Sequence, residues 1–161
     1  MQKDLQISLL GELRVTLDGS EVALPASKKA RALLAFLVAT DRPHRRERLC
    51  ELFWDLPDDP KAALRWALSK LRSAGGAAED SRIVADRERV HFDTEGVEVD
   101  IKTIYARLRD VDDTPSIAQL AAMAERLDRV FLDGLDCVFH DMWPPVPRAC
   151  GQSFHDMWPH P

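Results

Sequence analysis

The sequence predicts an α+β fold in which a small antiparallel sheet, three helices and a strand hairpin follow one another, with a short, partial all-α segment behind them. Three observations carry that prediction. Apolar and polar residues alternate near the N-terminus, apolar residues then recur at three- and four-residue spacing in three successive stretches, and alternation returns over residues 82–92.

Leu5, Ile7 and Leu9 alternate with Gln6 and Ser8, and Leu13, Val15 and Leu17 with Arg14 and Thr16, the period of half-buried strands. Gly11 suits a bulge or bend between them. Asp18-Gly19 is a hairpin signal, and Val22 and Leu24 continue the alternation until Pro25 stops the pairing. Ser27 then caps a helix running to about Ala39, with Ala30, Leu33, Leu34, Leu37 and Val38 as its buried stripe and Lys28, Lys29 and Arg31 near its start. Those cations oppose the helix dipole, a local cost that a bound phosphate relieves. A second helix spans roughly Arg45 to Trp54, with Leu49, Leu52 and Phe53 inward.

The third helix is the most informative stretch. Asp59 caps it and Pro60 occupies the first turn, where a missing N–H costs nothing. Leu64, Leu68 and Leu71 form one edge, while Lys61, Arg65, Ser69 and Arg72 share another, flanked by Trp66 and Lys70. Gly75-Gly76 ends it. Beyond the glycines, Arg82-Ile83-Val84-Ala85 and Val90-His91-Phe92 flank the charged turn Asp86-Arg87-Glu88-Arg89. This is the element order of a winged helix, whose third helix enters a major groove while the hairpin reaches the adjoining backbone.

The net charge of −5 argues against nucleic acid only until it is divided along the chain. Residues 1–26 sum to −2, residues 27–92 to +4, and residues 93–161 to −7. Screening over about 10 Å makes the local balance the one a phosphate feels. A basic module is joined to an acidic one. Cys50, Cys137 and Cys150 are too few and odd in number for a disulfide framework, and with no charged leader or apolar run near the roughly 20 residues of a membrane span, a soluble cytoplasmic protein is expected. Phosphate-loop, nucleophile-elbow and metalloprotease motifs are absent, so an enzyme and a cofactor are not expected.

Four ordered blocks add a resemblance. Leu9-Leu10-Gly11-Glu12-Leu13-Arg14-Val15, Lys29-Ala30-Arg31-Ala32-Leu33-Leu34-Ala35-Phe36-Leu37, Arg46-Glu47-Arg48-Leu49 with Phe53-Trp54, and Leu64 to Arg72 resemble antibiotic regulatory protein (SARP) type bacterial transcriptional activators. The resemblance implies an OmpR-like winged-helix DNA-binding domain over residues 1–96, part of a helical bacterial transcriptional activator domain over 97–136, direct-repeat promoter sites as partner, and help in recruiting RNA polymerase. Arg65, Lys70 and Arg72, with Ser69, Trp66 and Lys61 beside them, are the expected readers of DNA. Lys28, Lys29, Arg82, Arg87 and Arg89 are expected on phosphates. Two departures stand out: Arg45 occupies a position usually given to a small polar cap, and the wing turn lacks its common glycine. The alternative is a protein-interaction module, or a regulatory fragment that pairs with a full-length activator.

In the acidic half, residues 101–109 and 114–129 read as two helices, the second capped by Thr114 with Ile117, Leu120, Ala124 and Leu127 along one side. Residues 137–161 form an irregular Pro/Trp-rich tail in which Phe-His-Asp-Met-Trp-Pro occurs at 139–144 and again at 154–159. The tail reads as the end of a longer, truncated or frame-shifted regulator. Cys137, His140, Cys150 and His155 lack the spacing of a common zinc finger, so no metal is expected.

Overall fold

The structure is a computed structural model, and it describes residues 4–54, 59–74, 82–110, 115–135 and 138. Its elements run β1 (Leu5–Ser8), β2 (Arg14–Leu17), β3 (Ser20–Glu21), α1 (Lys28–Thr40), β4 (His44–Arg45), α2 (Arg46–Phe53), α3 (Pro60–Ala74), β5 (Ile83–Ala85), β6 (Arg89–Phe92), β7 (Val97–Val99), α4 (Asp100–Arg109) and α5 (Ile117–Leu127). The winged-helix order expected from the sequence is present.

Alternation puts Ile7 and Val15 on the buried side of the first sheet, where they are register partners in the antiparallel β1–β2 pair. Asp18 and Gly19 connect β2 to β3 with φ of 51° and 78°, the two positive values that a type I′ hairpin requires. The sheet order is β3-β2-β1-β7, and β7 lies parallel to β1. The opening sheet is therefore mixed rather than purely antiparallel, and it extends past residue 96. A second sheet, β4-β6-β5, joins the wing hairpin to the short strand before α2.

The three helices pack on one another. Ser27 caps α1 through its Oγ, which accepts from the Ala30 amide at 3.3 Å. The α1 stripe of Ala30, Leu33, Leu34, Leu37 and Val38 meets Leu49 and Phe53 of α2 and Leu64, Ala67, Leu68 and Leu71 of α3 in one core, closed by Ile83, Val90 and Phe92 of the hairpin. His44 is buried among them. Its Nε2 lies 2.7 Å from the Thr40 hydroxyl and its ring 4.7 Å from that of Phe36.

The acidic half is tied to this core by named bonds. The buried Asp100 carboxylate accepts from the Leu9 amide at 3.0 Å, the Leu10 amide at 3.0 Å and the Ile101 amide at 2.7 Å, linking the head of α4 to the end of β1. Lys102 of α4 pairs with Asp41 at 2.8 Å, and Asp41 also accepts from the Thr94 hydroxyl. Burial pushes the Asp41 carboxyl up, but those two donors outweigh it and hold it below the usual carboxylate range. On the other side, Gly11 donates to Val130 at 2.7 Å and accepts from Asp133 at 2.9 Å, while Leu132 donates to Leu9. Gly11, at φ 90°, makes this crossing possible.

Two expectations for α5 are corrected. Its cap is Ser116, in a capping box with Gln119, because Ser116 directly precedes the first helical residue. Thr114 lies outside the described residues. The stripe of Ile117, Leu120 and Leu127 faces solvent, with Ile117 87% exposed, and Met123 is the side chain of α5 that packs inward, against Leu10 and Ile104. Periodicity identified an apolar face but not a covering partner. The tail expected to be irregular, with its repeated hexapeptide and its Cys and His residues, lies outside the described residues apart from Val138.

Candidate nucleic-acid interface

The site begins with the start of α3. Asp59 Oδ1 accepts from the Ala62 amide at 2.8 Å, so the cap read from the sequence forms. With Leu64, Ala67, Leu68 and Leu71 turned into the core, the 3.6-residue period leaves Lys61, Arg65, Trp66, Ser69 and Lys70 exposed. Lys70 Nζ stands 5.9 Å from the Trp66 ring centroid, a cation–π approach that braces an indole 51% exposed to solvent. Arg72 differs: it is half-buried, and its guanidinium donates to the Ile83 carbonyl at 3.3 Å.

The wing turn solves its lack of glycine with a side chain. Asp86 Oδ1 accepts from the Glu88 amide at 2.7 Å and the Arg89 amide at 2.6 Å, and the Asp86 amide donates to the Arg89 carbonyl. These backbone donors hold the Asp86 carboxyl below its ordinary range. None of residues 86–89 has a positive φ. The turn presents Arg87 and Arg89 outward. Arg82, at the other end of the hairpin, folds back to the Glu95 carbonyl at 2.6 Å and to Asp93 at 3.6 Å.

Between α3 and the wing runs a groove of about 800 Å³. Arg45, Arg46, Lys61, Arg65 and Arg87 line it, against the acids Glu47, Asp86 and Glu88. Cys50 and Leu64 contribute its apolar lining, and burial pushes the Cys50 thiol up, against the pull of Lys61 and Arg46. The structure thus brings Lys61 and Arg65 of α3 together with Arg87 of the wing. Lys28 and Lys29 stand exposed at the head of α1, whose first turn holds no acid. Arg45 and Arg46 are groove residues that the sequence reading did not select. Their signal was present: Arg45 is an unsuitable cap, and cations at a helix start are consistent with an anion nearby.

Among the described residues no group of His, Cys, Asp and Glu is arranged to hold a metal, and no helix is long and apolar enough to cross a membrane.

No family model matches the chain. Over 88 residues it is 36% identical to the transcriptional regulatory protein EmbR of Mycobacterium bovis and of Mycobacterium tuberculosis, covering 52% of this chain and 22% of the relative. The chain therefore spans about a fifth of the length of these curated relatives. Its fold matches the solved structure of Mycobacterium tuberculosis EmbR in complex with a low-affinity phosphopeptide, with a TM-score of 0.66 and 23% identity over 84% of this chain and 39% of that one.

Proposed function

We propose that this chain carries the winged-helix domain of a SARP-type transcriptional regulator and binds double-stranded DNA sequence-specifically to regulate bacterial transcription in the cytoplasm. The observation that carries the reading is the groove lined by both Arg65 of the third helix and Arg87 of the wing. One helix face and one hairpin then address the same duplex, α3 in the major groove and the wing on the backbone.

Within that reading Arg65 is the base reader, with Lys61, Trp66, Ser69 and Lys70 along the same exposed face. A bidentate arginine on guanine is worth about 1 to 3 kcal/mol of discrimination. Lys28, Lys29, Arg87 and Arg89 grip phosphates. Arg72 and Arg82, already bonded to main-chain carbonyls, contribute least to contact and most to bracing. Direct-repeat promoter sites are the proposed targets, and RNA polymerase the proposed further partner. The solvent-facing apolar stripe of α5 favours a second reading, a fragment that pairs with a full-length activator.

Fluorescence anisotropy on a random promoter library at two salt concentrations separates the two. With about five phosphate contacts, the log–log salt slope is about −4 to −5, whereas a protein partner responds far less. Arg65→Ala is expected to weaken binding and relax sequence preference, and Lys29→Ala to weaken all duplexes alike. Unchanged specific and nonspecific affinity in Arg65→Ala removes that residue from the site.

A further inference from the structure

The β4–β6 ladder places Arg45 directly opposite Arg89, both exposed, and Arg87 lies in the adjoining turn. Like charges paired across strands push the strands apart. Arg46 holds this corner closed. Its amide donates to the Glu88 carbonyl at 2.8 Å, and its Nε donates to the Asp86 carbonyl at 2.8 Å, so one residue binds both sides of the turn. With no positive φ and no glycine among residues 86–89, the turn owes its shape to such bonds rather than to a permissive backbone. Arg46 is also the first residue of α2, which packs on α3 through the shared core. A continuous path therefore runs from the third helix through α2 and Arg46 to the wing.

We propose that Arg46 is the positioning residue of the wing, holding the Asp86–Arg89 turn against the head of α2 so that Arg87 and Arg89 meet phosphates on the side that Arg65 faces. The proposal rests on the DNA-binding reading above. Arg46 acts through Nε and its amide, and its positive charge is not the operative feature. Arg46→Met removes Nε while keeping the alkyl stem, and Arg46→Lys keeps the charge but moves the donor beyond the Nε position.

The test measures duplex affinity by anisotropy for the full chain, for Arg46→Met, for Arg46→Lys, and for Arg46→Met in an Arg87→Ala/Arg89→Ala background, each confirmed folded by circular dichroism. Both single variants are expected to bind about five- to tenfold more weakly at about 0.15 M salt, the scale of one or two lost phosphate contacts. In the background lacking Arg87 and Arg89, Arg46→Met is expected to change affinity by less than about twofold, because what it positions is gone. Equal losses in both backgrounds, or full affinity in Arg46→Lys, overturn the proposal and make Arg46 a phosphate contact in its own right. If the unaltered chain shows no salt-dependent duplex binding, the DNA reading itself fails. Amide exchange in the free protein then decides the clamp: Glu88 and Arg89 exchange about tenfold or more faster in Arg46→Met if it operates, and unchanged rates overturn it.

Discussion

At the scale of the residue, His44 shows how burial turns a common side chain into a pH-dependent element of stability. Burial, reinforced by the nearby Arg42 charge, lowers its pKa from 6.5 to about 4. The folded state therefore holds the ring neutral while the unfolded chain takes up a proton between those values, so this contribution is complete above pH 6.5 and is lost as pH falls toward 4. Urea melts are expected to show stability declining across that window, and His44→Gln, which retains a partner for Thr40, to flatten the decline. A slope unchanged in the variant assigns the acid sensitivity elsewhere. Trp66 gives the opposite case. Because its indole is half exposed, Trp66→Ala is expected to cost only about 1 kcal/mol of stability while reducing duplex affinity. Leu64, on the opposite face of the same helix and 1% exposed, is expected to cost about 3 kcal/mol on truncation to Ala. Sequence periodicity alone distinguished these two faces, since Leu64 and Trp66 lie about 200° apart around a helix.

At the scale of the element, helix starts separate what is local from what is not. Ser27 and Asp59 cap α1 and α3 with their own side chains, and both are readable from residue type and position. α2 has no side-chain cap. Its first amide is satisfied by the Glu88 carbonyl, brought from more than forty positions away by the wing, which no local rule anticipates. Asp100 likewise reads locally as an acid at a helix start, yet its carboxylate is bound chiefly by the amides of Leu9 and Leu10. Asp100→Ala leaves those buried amides without their partner and is expected to destabilise the protein by about 3 kcal/mol, measurable as a lower denaturation midpoint with an unchanged slope. A loss below about 1 kcal/mol shows that water replaces the carboxylate.

At the scale of the whole molecule, the winged helix and the segment behind it form a joint structure. β7 completes the first sheet, Asp100 and Lys102 anchor α4, and residues 130–133 cross Gly11. A chain ended at residue 96 loses all three and is expected to melt less cooperatively and at lower temperature than the full chain. An identical melting curve for both shows the anchors to be dispensable. The sequence by itself determined the succession of opening strands, three helices and wing hairpin, the capped third helix and the division of the chain into basic and acidic parts, but not strands β4 and β7, because period, cap chemistry and charge are properties of neighbours along the chain. Only the tertiary structure decided that Arg87 and Arg65 share a groove, that Arg72 and Arg82 turn back onto carbonyls, that Arg46 grips the wing, and that the α5 stripe faces water. Each of these depends on groups distant in sequence being brought within hydrogen-bonding or packing reach, and that distance is set by the fold.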